Sequence, residues 1–259
     1  MSIEQQILLK VPTLLLGIII VGGSIALSII GLLIVRKFIP HHKLKLHHDV
    51  ADPILGAMSV VYAVLLAFIV VIVWQNFDKA NSAVQLEANY LADIYRDAEG
   101  LSPDFRAKVG NLLREYREAV IKYEWPALQK GQMSPEVEKL MKKIWALYTV
   151  YEPKNKTEEA FFNESVRKLN SFRELRRLRV MESRTGIPPL LWSVLLLGAL
   201  AITCFTFLFG AENVKVQIIM GVLLSATIAL ILLAILLLDY PFTGGITISS
   251  TPFREILLD

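Results

Sequence analysis

Four long apolar runs constrain the fold of this 259-residue chain more than any other feature. They cover residues 11–35, 53–78, 185–211 and 216–238. Each run exceeds the roughly 20 residues that an α-helix needs to cross about 30 Å of hydrocarbon. The first run is too long for the apolar region of a cleavable signal peptide, and no cleavage site with small residues accompanies it. The sequence therefore predicts four transmembrane helices, at about 13–35, 54–75, 188–210 and 216–238.

The charged residues concentrate between the second and third runs, in a polar insert of residues 76–186. Proline caps and breaks divide this insert into helical stretches: Ser102-Pro103 and Ser134-Pro135 begin helices, Pro126 interrupts one, and Gly131 ends it. No segment has the pattern of a strand. We predict an all-α chain with membrane helices in residues 1–75 and 187–238, a helical bundle in 76–186 and a polar C-terminal tail in 239–259.

The second membrane helix has no sequence signal that ends it at the membrane surface. From Ile54 to Glu99 there is no proline, and Gly56 is the only glycine. Beyond Trp74 the apolar residues recur at steps of three and four, which places them on one helix face. The sequence therefore predicts that this helix continues into the insert to about Gly100.

Small residues along the second span form the first candidate site. Gly56, Ser59 (or Val60), Ala63 and Ala67 recur at steps of three to four, and small residues let helices approach closely. One interpretation is a pore-lining or subunit-contact face, with an apolar constriction formed by Ile69, Val70 and Val73. The alternative is ordinary packing within one subunit.

The loop after the first span contains two histidine pairs. His41, His42, His47 and His48, together with Asp49 and Asp52, are weak candidates for a metal site or a pH sensor. Paired histidines in a loop lack the fixed spacing of a strong metal motif. The alternative is a solvated basic loop at the lipid headgroups.

An arginine-rich stretch precedes the third span. Its candidate residues for contact with anions or lipid headgroups are Arg173, Arg176, Arg177 and Arg179, followed by Arg184. The alternative is an exposed helix face paired with Glu174 and Glu182.

Several classes of protein are excluded or disfavoured. The net charge of +3 is too small to indicate a protein that binds nucleic acid. No Lys, Arg, Asp or Glu lies well inside an apolar run, which argues against a proton-coupled transporter but not against a passive pore. The sequence has no P-loop, zinc-protease or nucleophile-elbow motif, so we expect neither an enzyme nor a cofactor. Cys204 is the single cysteine, so no intrachain disulfide forms.

Four segments resemble a broad bacterial family of bestrophin-like membrane proteins, to which no activity is attached. They are the long stretch at residues 47–98, YEWPALQKG at 123–131, FRELRRLRV at 172–180 and DYPFTGGITISSTPF at 239–253. The layout is also distantly similar to that of the bestrophins, pentameric anion channels in which the second helix lines the pore and continues into a helical cytosolic domain. The tail here has no acidic calcium-clasp motif, so the resemblance does not extend to calcium gating.

The resemblance implies a multi-pass protein of the bacterial inner membrane that forms a homo-oligomer and conducts ions, with anions expected. The alternative that the sequence leaves open is a membrane-anchored interaction or sensor module whose bundle binds a protein partner. Arg36, Lys37, Lys43 and Lys45 follow the first span, and the positive-inside rule would place the insert outside. The arginines before the third span and the bestrophin-like layout instead favour a cytoplasmic insert. Long domains follow the charge rule poorly, so the arginines count for less and the expectation rests on the layout.

Overall fold

The computed structural model describes residues 2–39, 48–209, 211 and 213–256, of which residues 48–50 are described by their backbone alone. Over these residues the regular structure is entirely helical, so the predicted all-α fold with four membrane helices is confirmed. The α-helices are α1 Ile3–Lys10, α2 Thr13–Phe38, α3 His48–Asp97, α4 Pro103–Ala119, α5 Trp125–Leu128, α6 Pro135–Thr149, α7 Lys156–Glu182, α8 Pro189–Phe207, α9 Val214–Leu238 and α10 Thr251–Glu255.

The chain forms two compact units. The apolar unit comprises Lys10–Gln75 and Gly186–Asp239, and the polar unit comprises Met1–Leu9, Asn76–Thr185 and Tyr240–Asp259. The helix α3 begins in the apolar unit and ends in the polar unit without a break. Pro53 lies close to its start, and beyond Gly56 the helix contains neither proline nor glycine. A short 3₁₀ turn, Ala98–Gly100, follows it.

The apolar unit contains the four helices that are long and apolar enough to cross a membrane: α2, the first half of α3, α8 and α9. Glycines let these helices approach closely. A Cβ atom on Gly31 would lie 2.5 Å from the Phe207 ring, and one on Gly198 would lie 2.5 Å from the Tyr62 ring. The Tyr62 hydroxyl donates a buried hydrogen bond of 2.9 Å to the Leu195 carbonyl, which joins α3 to α8.

The polar unit is a helical bundle with one hydrophobic core. The second half of α3 contributes the residues that recur at steps of three and four, including Ala80, Val84, Leu91 and Ile94. Phe105 and Leu113 of α4, Ile144 of α6 and Phe172 of α7 pack against them; the burial of these large side chains is the main source of stability for the unit.

The C-terminal tail, which the sequence predicted to be polar, also contributes side chains to this core. Phe242, Ile248 and Phe253 are buried in it. The Trp125 indole donates a hydrogen bond of 3.1 Å to the Ile248 carbonyl, and the Thr243 hydroxyl donates one of 2.9 Å to the Gln129 carbonyl.

The predicted break at Pro126 has an unusual form. A π-helical turn, Val120–Glu124, joins α4 to α5. Pro126 lacks the N–H that would continue the α-helical pattern, and its ring would clash with the carbonyl four residues earlier. The wider π turn lets the chain continue along the helix axis without that clash. It also brings the buried Glu124 side chain into the bundle. The segment ends at Gly131, whose φ of 64° favours glycine.

Candidate functional site

One side of α3 faces the interior of the apolar unit. In the apolar unit it consists of Tyr62, Leu66, Ile69 and Val73, which pack against α8 and α9. Ile69 and Val73 are only 3% and 1% exposed. Two of the three residues predicted to form a constriction therefore lie in the interior of the subunit. Their side chains pack between the helices.

The predicted small residues lie on a different side of α3. Gly56, Ala63 and Ala67 are exposed, and Ser59 and Val70 are partly exposed. Ala63 and Ala67 each follow an inward residue, so they lie about 100° around the helix from the inward side. Nothing lies within 4 Å of the position that a Cβ on Gly56 would occupy. We call Gly56, Ala63 and Ala67 the small-residue side of α3.

A third side of α3 carries larger apolar residues. Val61, Phe68 and Ile72 are exposed, and each precedes an inward residue. They therefore lie about 100° around the helix in the other direction. We call these three residues the lateral side of α3.

Two of the four candidate arginines are buried in the polar unit rather than exposed. Arg179 makes a bidentate ion pair with Glu87, with distances of 2.7 Å from Nε and 2.9 Å from Nη2 to the carboxylate oxygens. Arg176 pairs with Glu124 at 3.2 and 3.1 Å and with Glu138 at 2.6 Å. We call these five residues the buried arginine cluster; it joins α3, the π turn, α6 and α7.

Hydrogen bonds and aromatic rings complete the environment of this cluster. The Tyr116 hydroxyl donates to Glu87 at 3.1 Å, and the Arg179 guanidinium lies 5.1 Å from the centre of the Trp125 ring. Burial raises the pKa of Tyr116 well above its usual value, and the Glu87 carboxylate adds to this effect. Burial alone would lower the pKa of Arg179, but the carboxylates of Glu87 and Glu124 outweigh it, so its pKa is raised. The Arg179 guanidinium therefore stays charged and paired with Glu87 inside the cluster.

The other two candidate arginines remain exposed. Arg173 and Arg177 form no ion pair with another residue in the described part of the chain. They lie one turn apart on α7, with Arg184 beyond its end. Their predicted contact with anions or headgroups stays a prediction.

Sequence reasoning missed a polar contact inside the apolar unit. The Arg36 Nε donates a 2.9 Å hydrogen bond to the Gln217 side chain, and Arg36 also donates to the Ala211 carbonyl. The Gln217 amide in turn donates to the Phe209 carbonyl at 2.6 Å. Gln217 is a lone amide near the start of the fourth apolar run, which is the only signal that the sequence offers.

The candidate metal site lies mostly outside the described residues. His41, His42 and His47 fall there, and the side chain of His48 is also not described. Elsewhere, in the residues that the structure describes, no group of three or more His, Cys, Asp or Glu side chains is arranged to hold a metal ion.

Four apolar helices in an all-helical chain define a multi-pass membrane protein. A family model described as the bestrophin-like domain matches residues 22–253, and the chain belongs to this bestrophin-like family. No curated protein sequence matches it.

The fold is similar to crystal structures of a bacterial bestrophin homologue from Klebsiella pneumoniae. For one mutant of that protein the TM-score is 0.70 at 12% identity, covering 90% of this chain and 94% of the homologue. For a second mutant the TM-score is 0.66 at 12% identity, covering 90% and 96%. At this identity the likeness concerns the fold.

Proposed function

We propose that this protein is a passive ion channel of the bacterial inner membrane, in which several copies form a ring around a central pore. The small-residue side of α3 faces the pore. Membership of the bestrophin-like family supports this proposal, because bestrophins conduct anions through a pore lined by their second membrane helix.

The observation that carries the proposal is the exposed row on α3. Gly56, Ala63 and Ala67 are exposed about 100° around α3 from the residues that pack inside the subunit, and nothing lies within 4 Å of the Cβ position on Gly56. A row of exposed small residues on a membrane helix leaves room for a water-filled path beside it.

The charge pattern favours passive conduction of anions. A coupled transporter usually needs an ionisable residue inside the membrane, and the apolar runs carry none well within them. Arg173 and Arg177 are exposed and form no ion pair among the described residues, so they raise the local concentration of anions near the polar unit.

Ion flux through the purified full chain in liposomes tests this function. We expect chloride flux in the native protein and a loss of at least tenfold in Ala63→Trp, because the indole would fill the pore. Ala26→Trp is the matched control: Ala26 is exposed on α2, so this variant should conduct normally. Equal flux in both variants would contradict a pore lined by α3.

A second candidate is a membrane-anchored module whose bundle binds a protein partner. A groove on the polar unit, with exposed Leu86, Met133 and Met181, favours it. Absence of flux from a folded, oligomeric preparation would support this module over the channel.

A further inference from the structure

A large groove of the polar unit, about 890 Å³ in volume, lies between α3 and α7. Leu86 lines it from α3, Leu178 and Met181 line it from α7, and Met133 lines it from the segment before α6. Leu86, Met133 and Met181 are 48%, 41% and 54% exposed. Sites for single small molecules typically have volumes of about 300–1,000 Å³ and are mostly apolar with a few polar groups. The floor of this groove therefore suits an apolar chain, to whose shape the flexible methionine side chains can adapt.

Several charged groups that line the groove already have partners within the polar unit. Arg176 donates from Nη1 to the Glu138 carboxylate at 2.6 Å. Arg184 donates from Nε to the Gly131 carbonyl at 2.9 Å, and this bond joins the end of α7 to the segment that follows α5. These contacts fix the walls of the groove.

Two other arginines leave their charge available to a ligand. Arg173 and Arg177 line the groove, are exposed and form no ion pair among the described residues. Residues four positions apart are neighbours on a helix surface, so both guanidinium groups can reach the same anion. Glu174 is an exposed carboxylate beside them, and the two arginines outnumber it. Arginine binds the oxygens of a carboxylate or phosphate through paired, charge-assisted hydrogen bonds, so this end of the groove suits an anionic group.

The charged and the apolar parts of the groove follow each other along α7. Leu178 and Met181 come one and four positions after Arg177, so the apolar floor begins within about one helical turn of the two arginines. A small mineral anion would leave this floor uncovered, and an uncharged chain would leave the arginines without a partner. A ligand that satisfies both parts has an anionic head joined directly to an apolar chain.

We propose that this groove binds a single-chain anionic amphiphile of the fatty-acid class. Its carboxylate accepts hydrogen bonds from Arg173 and Arg177, and its chain covers Leu86, Met133 and Met181. All of these residues belong to the polar unit, so the inference does not depend on the proposed channel. Because the ligand contacts α3 and α7 together, its binding stabilises the folded polar unit.

Photolabelling of the purified full chain, reconstituted into nanodiscs of phosphatidylcholine, tests this site. The probe is dodecanoate with a diazirine at the end of its chain, and mass spectrometry locates the residues that it labels. We expect the label on residues that line the groove, such as Met133 or Met181. Unlabelled dodecanoate should compete for the site, and dodecanol, which has the same chain without the charge, should compete about tenfold less well.

Substitution of both arginines provides a matched comparison. Arg173→Gln combined with Arg177→Gln should reduce labelling of the groove by about tenfold, because the carboxylate loses both cations. Arg167→Gln is the control on the same helix: Arg167 is exposed and pairs with Glu164 outside the groove, so labelling should not change. Both variants replace exposed side chains, so we expect the thermal midpoint without the probe to match that of the native protein.

Three results would overturn this inference. Equal competition by dodecanol would show an apolar surface that does not recognise an anion, and equal competition by inorganic phosphate would show an anion site that does not recognise a chain. Label found only outside the groove would leave the groove to the protein partner of the second candidate function. None of these results bears on ion flux, so this inference and the proposed channel fail separately.

Discussion

At the scale of single residues, the buried arginine cluster is the part of the polar unit most sensitive to substitution. We expect Arg179→Met to lower the free energy of unfolding by about 3–5 kcal/mol, because it leaves the fully buried Glu87 carboxylate without its cation. Chemical denaturation followed by circular dichroism measures this change.

Two further variants make this prediction specific. Arg167→Met, at an exposed arginine of the same helix, should change stability little. Arg179→Met combined with Glu87→Met should recover part of the loss, since a pair of buried charges is replaced by apolar side chains. No difference between Arg179→Met and Arg167→Met would show that the buried pair is unimportant.

Acid should weaken the same cluster through Glu138. Its hydrogen bond with Arg176 lowers the pKa of the Glu138 carboxyl below the ordinary value of 4.5. The folded state therefore holds this proton less tightly than the unfolded state, and the stabilisation is fully present above about pH 5 and is lost as the pH falls through the lowered pKa. In denaturation at a series of pH values, Glu138→Gln should show a smaller loss of stability below pH 4.5 than the native protein; an identical pH profile would contradict this role.

The sequence did not reveal which arginines are buried. Arg173, Arg176, Arg177 and Arg179 look alike in a charged stretch, and only two of them face the interior. Arg179 is buried because it pairs with Glu87, which lies 92 positions away along the chain. The spacing of residues within one helix cannot indicate such a distant pair.

At the scale of helices, the close contact between α3 and α8 depends on Gly198. We expect Gly198→Ala to destabilise the protein by about 1–3 kcal/mol, because the added methyl group would displace the Tyr62 ring and weaken its hydrogen bond to Leu195. The thermal midpoint in detergent measures this effect. Gly22→Ala is the control, since nothing lies within 4 Å of the added atom, and an equal fall in both midpoints would show that the contact with Tyr62 is unimportant.

Helix composition and periodicity carried most of the information about the fold. The length of the four uncharged runs predicted four membrane helices. The regular spacing of apolar residues after Trp74 predicted that the second membrane helix continues well beyond its apolar part, and in the structure α3 spans His48–Asp97. The spacing could not show which residues of that helix face inward and which face outward. Gly56 and Ala67 share the run with Ile69 and Val73, and only the positions of α8 and α9 show which of them face inward.

The tail illustrates a different limit. Residues 239–259 contain no long apolar run, and isolated residues such as Phe242 and Phe253 give no periodic signal. Their burial against Trp125 depends on the π turn, which periodicity does not indicate.

At the scale of the whole molecule, the proposed channel requires more than one copy. We expect light scattering of the detergent-solubilised protein to give a molar mass that is an integral multiple, of at least three, of the 29.1 kDa chain. Fewer than three copies could not surround a pore with α3 helices, and a monomer or dimer in every detergent would contradict the ring.

Chemical block of conduction tests the lining of the pore most directly. Cys204→Ser removes the only cysteine, and single cysteines are then placed at Ala67 or Ile69. A charged, water-soluble thiol reagent applied to reconstituted protein should abolish chloride flux through Ala67→Cys, because that side chain faces the pore, and should leave flux through Ile69→Cys unchanged, because Ile69 is buried inside the subunit. Block at position 69 with no effect at position 67 would contradict the assignment of the small-residue side of α3 to the pore.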